Sequence, residues 1–175
     1  MKTKIDLCSQ ALLKIGENAI SSFNEQTTAA EIAKGLYDIT VDSLLCSHVW
    51  RFATKTFALS KTTDGDFIIP AEALRIISCS APRFKIAGNR ISSNADEIEI
   101  SAVARVPEGE FPSHFSRVLV TKLAMEFSIP LTGNQNTYAM MNAVLDADLR
   151  QAKFIDSSMD SGSAIGVFPL VSARF

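Results

Sequence analysis

The sequence predicts an α+β protein: an antiparallel helical bundle of about four helices with an inserted small antiparallel β-sheet and an extended C-terminal tail. Three observations carry this. Apolar residues recur at helical spacing near both ends of the chain, and the period changes to two between residues 52 and 106. A Ser/Gly-rich stretch after residue 156 then leads into an apolar end. The implied organisation is a helical body over residues 1–50 and 112–156, a β-rich insert over 51–111, and a docking tail over 157–175.

The first helix runs from about Lys4 to Ile15. Ile5, Cys8, Leu12 and Ile15 share one face, and Gly16 is placed to stop it. Ile20 to Glu25 form a connector. A second helix starts at Thr28, where Thr28 and Glu31 have capping-box spacing, and continues to about His48. It carries two apolar stripes, Ala29/Ile32/Ala33/Leu36/Ile39 and Tyr37/Val41/Leu44/Leu45. A helix apolar on more than one face is expected to be covered on more than one side.

The insert opens with Phe57 and Leu59 alternating with polar neighbours. Leu74 to Ser78 read as a short strand. Phe84-Lys85-Ile86 and Arg90-Ile91-Ser92 flank Ala87-Gly88-Asn89, a hairpin turn, since Gly and Asn tolerate positive φ. Glu97 to Val103 alternate strictly, the mark of a half-exposed strand. Asp64-Gly65-Asp66 and Pro70 punctuate the segment.

A third helix starts at Ser113, read as an N-cap, with Phe115, Leu119, Val120, Leu123, Ala124 and Phe127 on one face; Pro130 and Gly133 are expected to end it. A fourth runs from about Asn136 to Asp156, with Met141, Val144, Leu145, Leu149, Ala152 and Ile155 inward. The short Thr132-Gly133-Asn134 link makes these two antiparallel neighbours. Residues Ser157 to Ser163 are linker-like and precede Ile165, Val167, Phe168, Leu170, Val171 and Phe175. Of these, Val167, Phe168, Leu170, Val171 and Phe175 are the candidate partner-binding residues, because an apolar end beyond a tether needs something to dock on.

Composition narrows the function. The chain has 175 residues, 47% hydrophobic and 21% charged, with a net charge of −2. Tight phosphate binding calls for a Lys/Arg excess, which is missing, so any contact with DNA is expected to be loose and not sequence-specific. Cys8, Cys46 and Cys79 lie far apart and read as small buried thiols, with no zinc or disulfide spacing. No apolar run reaches the roughly 20 residues of a bilayer span. Asp6, Gln10 and Lys14 interrupt what would be a signal core, so no membrane role is expected and a reduced cytoplasm suits the chain.

Chemistry is sparse. No G-x-S-x-G elbow, P-loop, G-x-G-x-x-G or H-E-x-x-H occurs. His48 and His114 read as structural. The acidic pairs Asp64/Asp66, Glu97/Glu99, Glu108/Glu110 and Asp146/Asp148 read as solvated surface charge. No catalytic residue, metal ligand or cofactor site is assigned. Trp50, the single tryptophan, and Phe52 sit where helix hands over to sheet and are expected to form the structural hinge between them.

These blocks resemble a known family. Ile5-Asp6-Leu7-Cys8-Ser9-Gln10-Ala11-Leu12-Leu13-Lys14-Ile15-Gly16 and Ile20-Ser21-Ser22-Phe23 are similar to the start of the tail tubular protein A family of phage head-to-tail adaptors. His48-Val49-Trp50-Arg51-Phe52-Ala53-Thr54-Lys55 resembles its H-P-W-x-F-A signature, and Pro70-Ala71-Glu72-Ala73-Leu74-Arg75 its L-P-x-D-x-L-R segment. Gly88-Asn89-Arg90-Ile91, Ala124-Met125-Glu126 and Pro130-Leu131-Thr132-Gly133 match in order and spacing. Val49 stands where Pro is usual, so the second helix is expected to run longer; Glu72 and Ala73 also depart from the pattern.

The resemblance implies a structural virion protein of short-tailed phages (podoviruses). Such proteins form a dodecameric homo-oligomer ring, assembled in the host cytoplasm, between the portal protein and the tail nozzle protein. Double-stranded DNA passes through the ring during ejection, and the ring seals the packaged head. Two other readings remain at this point: a virion-associated cell-wall glycan hydrolase, supported only by the acids, and a cellular helical interaction domain.

Overall fold

The computed structural model describes residues 2–159; the apolar tail residues Val167, Phe168, Leu170, Val171 and Phe175 lie outside them. Among the described residues the fold is α+β, with four helices and two three-stranded antiparallel sheets.

Helix α1 spans Lys4–Lys14. Its capping box is formed by Thr3 and Asp6: Thr3 Oγ1 accepts from the Asp6 amide (3.1 Å) and Asp6 accepts from the Thr3 amide (2.9 Å). These bonds hold the Asp6 carboxyl below its ordinary pKa. Gly16, at φ +86°, follows the helix end. Helix α2 spans Thr28–Cys46, and its N-cap is Thr27, not Thr28. Thr27 Oγ1 accepts from the Ala30 amide, so the predicted Thr28/Glu31 box does not form. The helix also ends two residues short of His48 despite Val49. Ser47 Oγ donates to the Leu44 carbonyl (2.7 Å) and Trp50 Nε1 to the same carbonyl (3.0 Å), which satisfies the last turn and folds the chain back.

The insert is entered by a 3₁₀ turn at Arg51–Ala53 and left by another at Glu108–Glu110. It contains two sheets rather than the single expected one. Strands β1 (Thr54–Ser60), β3 (Ala73–Cys79) and β6 (Glu97–Ala104) pair in the order β1-β6-β3. Strands β2 (Asp66–Ile68), β4 (Phe84–Ala87) and β5 (Arg90–Ser93) pair in the order β2-β5-β4. Only three residues long and bounded by turn residues, β2 has too short a pattern to read in sequence. The β4–β5 hairpin closes through Gly88-Asn89, with Gly88 at φ +59°. Leu59, Phe67, Ala81, Ile91, Ile98 and Ile100 form a small core of the insert itself, whereas Val103 at the other end of β6 belongs to the core of the helical body.

Helix α3 (Ser113–Thr132) organises that body. Phe115, Val118, Leu119, Val120, Leu123, Ala124 and Phe127 are buried around most of its circumference. It packs on α1, α2 and α4 (Gln135–Ser158), while α2 and α4 scarcely touch each other. Ser113 is its first residue rather than its cap, which is Pro112. Pro130 does not end it. So near the C-terminus a missing N–H costs a single hydrogen bond, and the helix runs on to Thr132, where Gly133 at φ +62° closes it and donates to the Ile129 carbonyl (3.0 Å). Helix α4 reaches Ser158, past the expected end, so the first residues assigned to the linker are helical.

A polar network ties three helices together. Asp148 on α4, 5% exposed, accepts from Arg117 Nε and from Thr121 Oγ1 of α3, each at 2.8 Å. Lys14 of α1 donates to the same Thr121 hydroxyl (2.6 Å). The reading of Asp148 as solvated surface charge is therefore corrected: it lies on the buried face with Leu145 and Ala152. Asp148→Ala is expected to destabilise the chain by about 2 kcal/mol, the cost of losing charge-assisted hydrogen bonds at a buried site. A urea melt monitored by circular dichroism measures it; a change under about 0.5 kcal/mol would show the network to be idle.

Candidate assembly surfaces

The chain crosses between helical body and insert twice, at residues 50–53 and 105–112, and one aromatic cluster holds both crossings. Trp50 is fully buried. Its ring meets Phe115 edge-on at 5.1 Å and His48 at 4.9 Å. Phe52 packs on Phe115 (4.8 Å) and Phe111 (6.1 Å), and Phe111 on Phe115 (4.9 Å). The structure thus brings Trp50 and Phe52 together at the joint, on α3's first turn. Arg105 adds an ionic tie across the same joint, binding Asp38 (2.9 Å) and Asp42 of α2.

Asp156 lies beneath the cluster, near the end of α4 and only 3% exposed. It accepts from the Arg51 amide (3.3 Å) and faces His48 Nε2 at 3.6 Å and His114 Nε2 at 3.9 Å. The last turns of α4 are therefore fastened to the joint by one carboxylate. Burial pushes the His48 pKa down, and the Asp156 charge opposes that shift without reversing it.

The other acids are also placed by structural partners. Glu108 accepts from the Tyr37 hydroxyl (3.3 Å), and Asp66 from Ser92 Oγ (2.6 Å). Asp64 and Asp66 share Arg90. Glu97 and Glu99 are exposed on one face of β6. Cys8 is buried, its thiol pushed up to about 12 by burial, while Cys46 and Cys79 are only partly buried, at odds with the expectation of three buried thiols. No group of three or more metal-binding side chains occurs among the described residues. A cleft of about 520 Å³ lies between the sheets, walled by Ile69, Leu74, Ile76 and Ile86 and floored by Gly88-Asn89.

Large apolar side chains are left uncovered on the helical body. On α4, Phe154 is 73% exposed and Met140 63%, and Val144, expected to point inward, points out. On α2, Ile39 is 67% exposed, so the stripe read as a second apolar face is only partly covered by the chain's own core. Asp148, Asp156 and the outer face of α4 escaped the sequence reading. The signal was there: Leu145, Asp148, Ala152 and Asp156 recur at spacings of three and four, which places both acids on the inward face.

Residues 6–163 match the family model described as "Tail tubular protein". No curated protein matches the chain. Among the described residues no helix is long and apolar enough to cross a membrane.

The joint makes stability depend on pH. Unfolded His48 takes up a proton near its ordinary value of 6.5, and folded His48 only at lower pH, so the unfolded state binds more protons across that window. Stability is expected to fall as pH drops below about 6.5 and to level off once folded His48 is also protonated. His48→Gln should flatten this slope in melts taken between about pH 5 and 7. An unchanged slope would remove His48 from the account.

Proposed function

Because the chain belongs to the tail tubular protein family of structural phage tail proteins, we propose that it is the head-to-tail adaptor of a short-tailed phage. In this reading it forms a dodecameric ring between the portal protein and the tail nozzle protein. The observation that carries the reading is the uncovered apolar surface of the helical body, chiefly Ile39, Met140 and Phe154. Single surface hydrophobes are ordinary; a run of them along one helix, Tyr138, Met140, Val144 and Phe154 on α4, with Ile39 on α2, supports a surface that other chains cover. A ring supplies such cover, since each subunit offers one face to the neighbour ahead and another to the neighbour behind.

The remaining assignments follow. A chain of net charge −2 lets double-stranded DNA pass without the phosphate clamping that would retain it. Trp50 and Phe52 act as the structural hinge through which load on the insert reaches α3. Val167, Phe168, Leu170, Val171 and Phe175 dock on the portal or a neighbouring subunit. The ring assembles in the host cytoplasm and stays in the virion, sealing the packaged head until ejection. No observation of the described residues favours the glycan-hydrolase or cellular-domain readings, because Asp66, Glu108, Asp148 and Asp156 are bound to structural partners.

Electron microscopy of the purified chain mixed with the portal protein of the same phage is the test. The expected result is a ring of this chain on the portal's outer face, and heads that lack the chain should leak DNA. Failure to bind portal, together with infectious virions formed without the chain, would overturn the reading.

A further inference from the structure

Large apolar side chains converge, uncovered, on the cleft between the two sheets. Ile69, Leu74, Ile76 and Ile86 line it, and none of the four is buried. Asn89 carries the only polar side chain among the lining residues, and no charged residue is among them. The volume of about 520 Å³ lies in the range of roughly 300–1,000 Å³ in which proteins hold largely apolar ligands. The uncovered side chains of the helical body are arranged differently: exposed charges stand beside Ile39, Met140 and Phe154, Asp38 on α2 and Asp146 and Arg150 on α4. Both strands that border the cleft, β3 and β4, are outermost in their sheets. Proteins cover or blunt such edges, because a free edge beside apolar side chains pairs with other chains.

The chain carries a segment of matching chemistry, and its starting point is close by. Residues 160–175 follow Met159, outside the described residues, and from Ser161 to Ala173 none is charged. That run holds Ile165, Val167, Phe168, Leu170 and Val171. Met159 caps α4 just beyond Asp156, which faces His48 Nε2 at 3.6 Å. Just before His48, the Cys46 carbonyl accepts from Arg75 Nη1 of β3 at 2.6 Å. Burial pushes the His48 pKa down, and the charges of Lys153 on α4 and Arg75 on β3 add to that push, so these groups are neighbours. Arg75 stands between Leu74 and Ile76, both of which line the cleft. Side chains alternate along a strand, so Arg75 and the cleft lie on opposite faces of β3, with the free edge of that strand between them. At about 3.3 Å per extended residue, the stretch from Met159 to Val167 reaches up to about 26 Å, enough to round that edge.

We propose that in the free chain Val167–Val171 lie in this cleft of their own molecule, with Phe168 and Leu170 against Ile69, Leu74, Ile76 and Ile86. Phe168 and Leu170 are alternate residues, so an extended backbone turns both to one side. The contact rests on the reading of these residues as a docking segment, and it names where they dock before a portal or a neighbouring subunit takes them up. Held on its own chain, the segment covers the edge of β3 and is kept from other copies until a partner displaces it.

A photo-crosslinking benzophenone residue in place of Phe168 tests this in the dilute full-length chain, without portal, with the products mapped by peptide mass spectrometry. Crosslinks should fall within one chain, on residues 69–76 and 86–89. Ile86→Asp, at a position already 46% exposed, should leave the melting temperature unchanged. It should lower the yield of those crosslinks at least about fivefold, since a carboxylate is costly to cover with apolar side chains. Phe154→Asp, on the outer side of α4, should leave the yield as it is. Crosslinks on α2 or α4, crosslinks that join two chains, or no defined crosslink would each overturn the proposal, as would a yield that Ile86→Asp does not lower. All these outcomes leave the ring reading standing, which the portal experiment decides separately.

Discussion

The burial of α3 is the constraint from which the rest of this fold follows. A helix covered around most of its circumference needs neighbours on several sides, and a chain of this size has three other helices to provide them. Each of α1, α2 and α4 turns its best apolar face to α3, and none is left to cover the outer faces of α2 and α4. Exposed charges, Glu31 and Asp38 on α2 and Asp146 and Arg150 on α4, share those faces with the uncovered apolar side chains Ile39, Met140 and Phe154. The helical body is thus built like the middle of a larger assembly, with a central helix satisfied within the chain and flanks that stay open.

The polar chemistry serves the same architecture. Asp148 joins α4 to α3 and, through Thr121, to Lys14 of α1. Asp156 fastens the end of α4 to the backbone of Arg51, where the insert begins. The aromatic cluster around Phe115 receives Trp50 from the entering strand of the chain and Phe111 from the returning one. Both crossings into the insert are therefore seated on one turn of α3, while the far end of the insert packs on a core of its own. The insert thus keeps a core of its own and joins the body at one packed site.

Helix positions and the alternating strands were legible because period carries them directly. Phe115, Leu119, Leu123 and Phe127 announce α3, and Ile98, Ile100 and Ala102 announce β6. What sequence could not supply was partnership. Thr28 and Glu31 have the spacing of a capping box, yet Thr27 takes the cap because the chain enters one residue earlier. Pro130 looks like a stop and is not one, since so late in a helix its missing donor matters little. Asp148 was read as solvated because acids usually are, although its spacing put it inward. Val144 was read as inward from its spacing with Met141 and Leu145, and it is exposed at the edge of that face. In each case the residue type suggested one environment and the tertiary neighbours imposed another.

A density map of the assembled tail at side-chain resolution tests the central claim most directly, through the surroundings of Ile39 and Phe154. Both side chains are expected to be covered by neighbouring protein. Finding both facing water in the finished particle would contradict it.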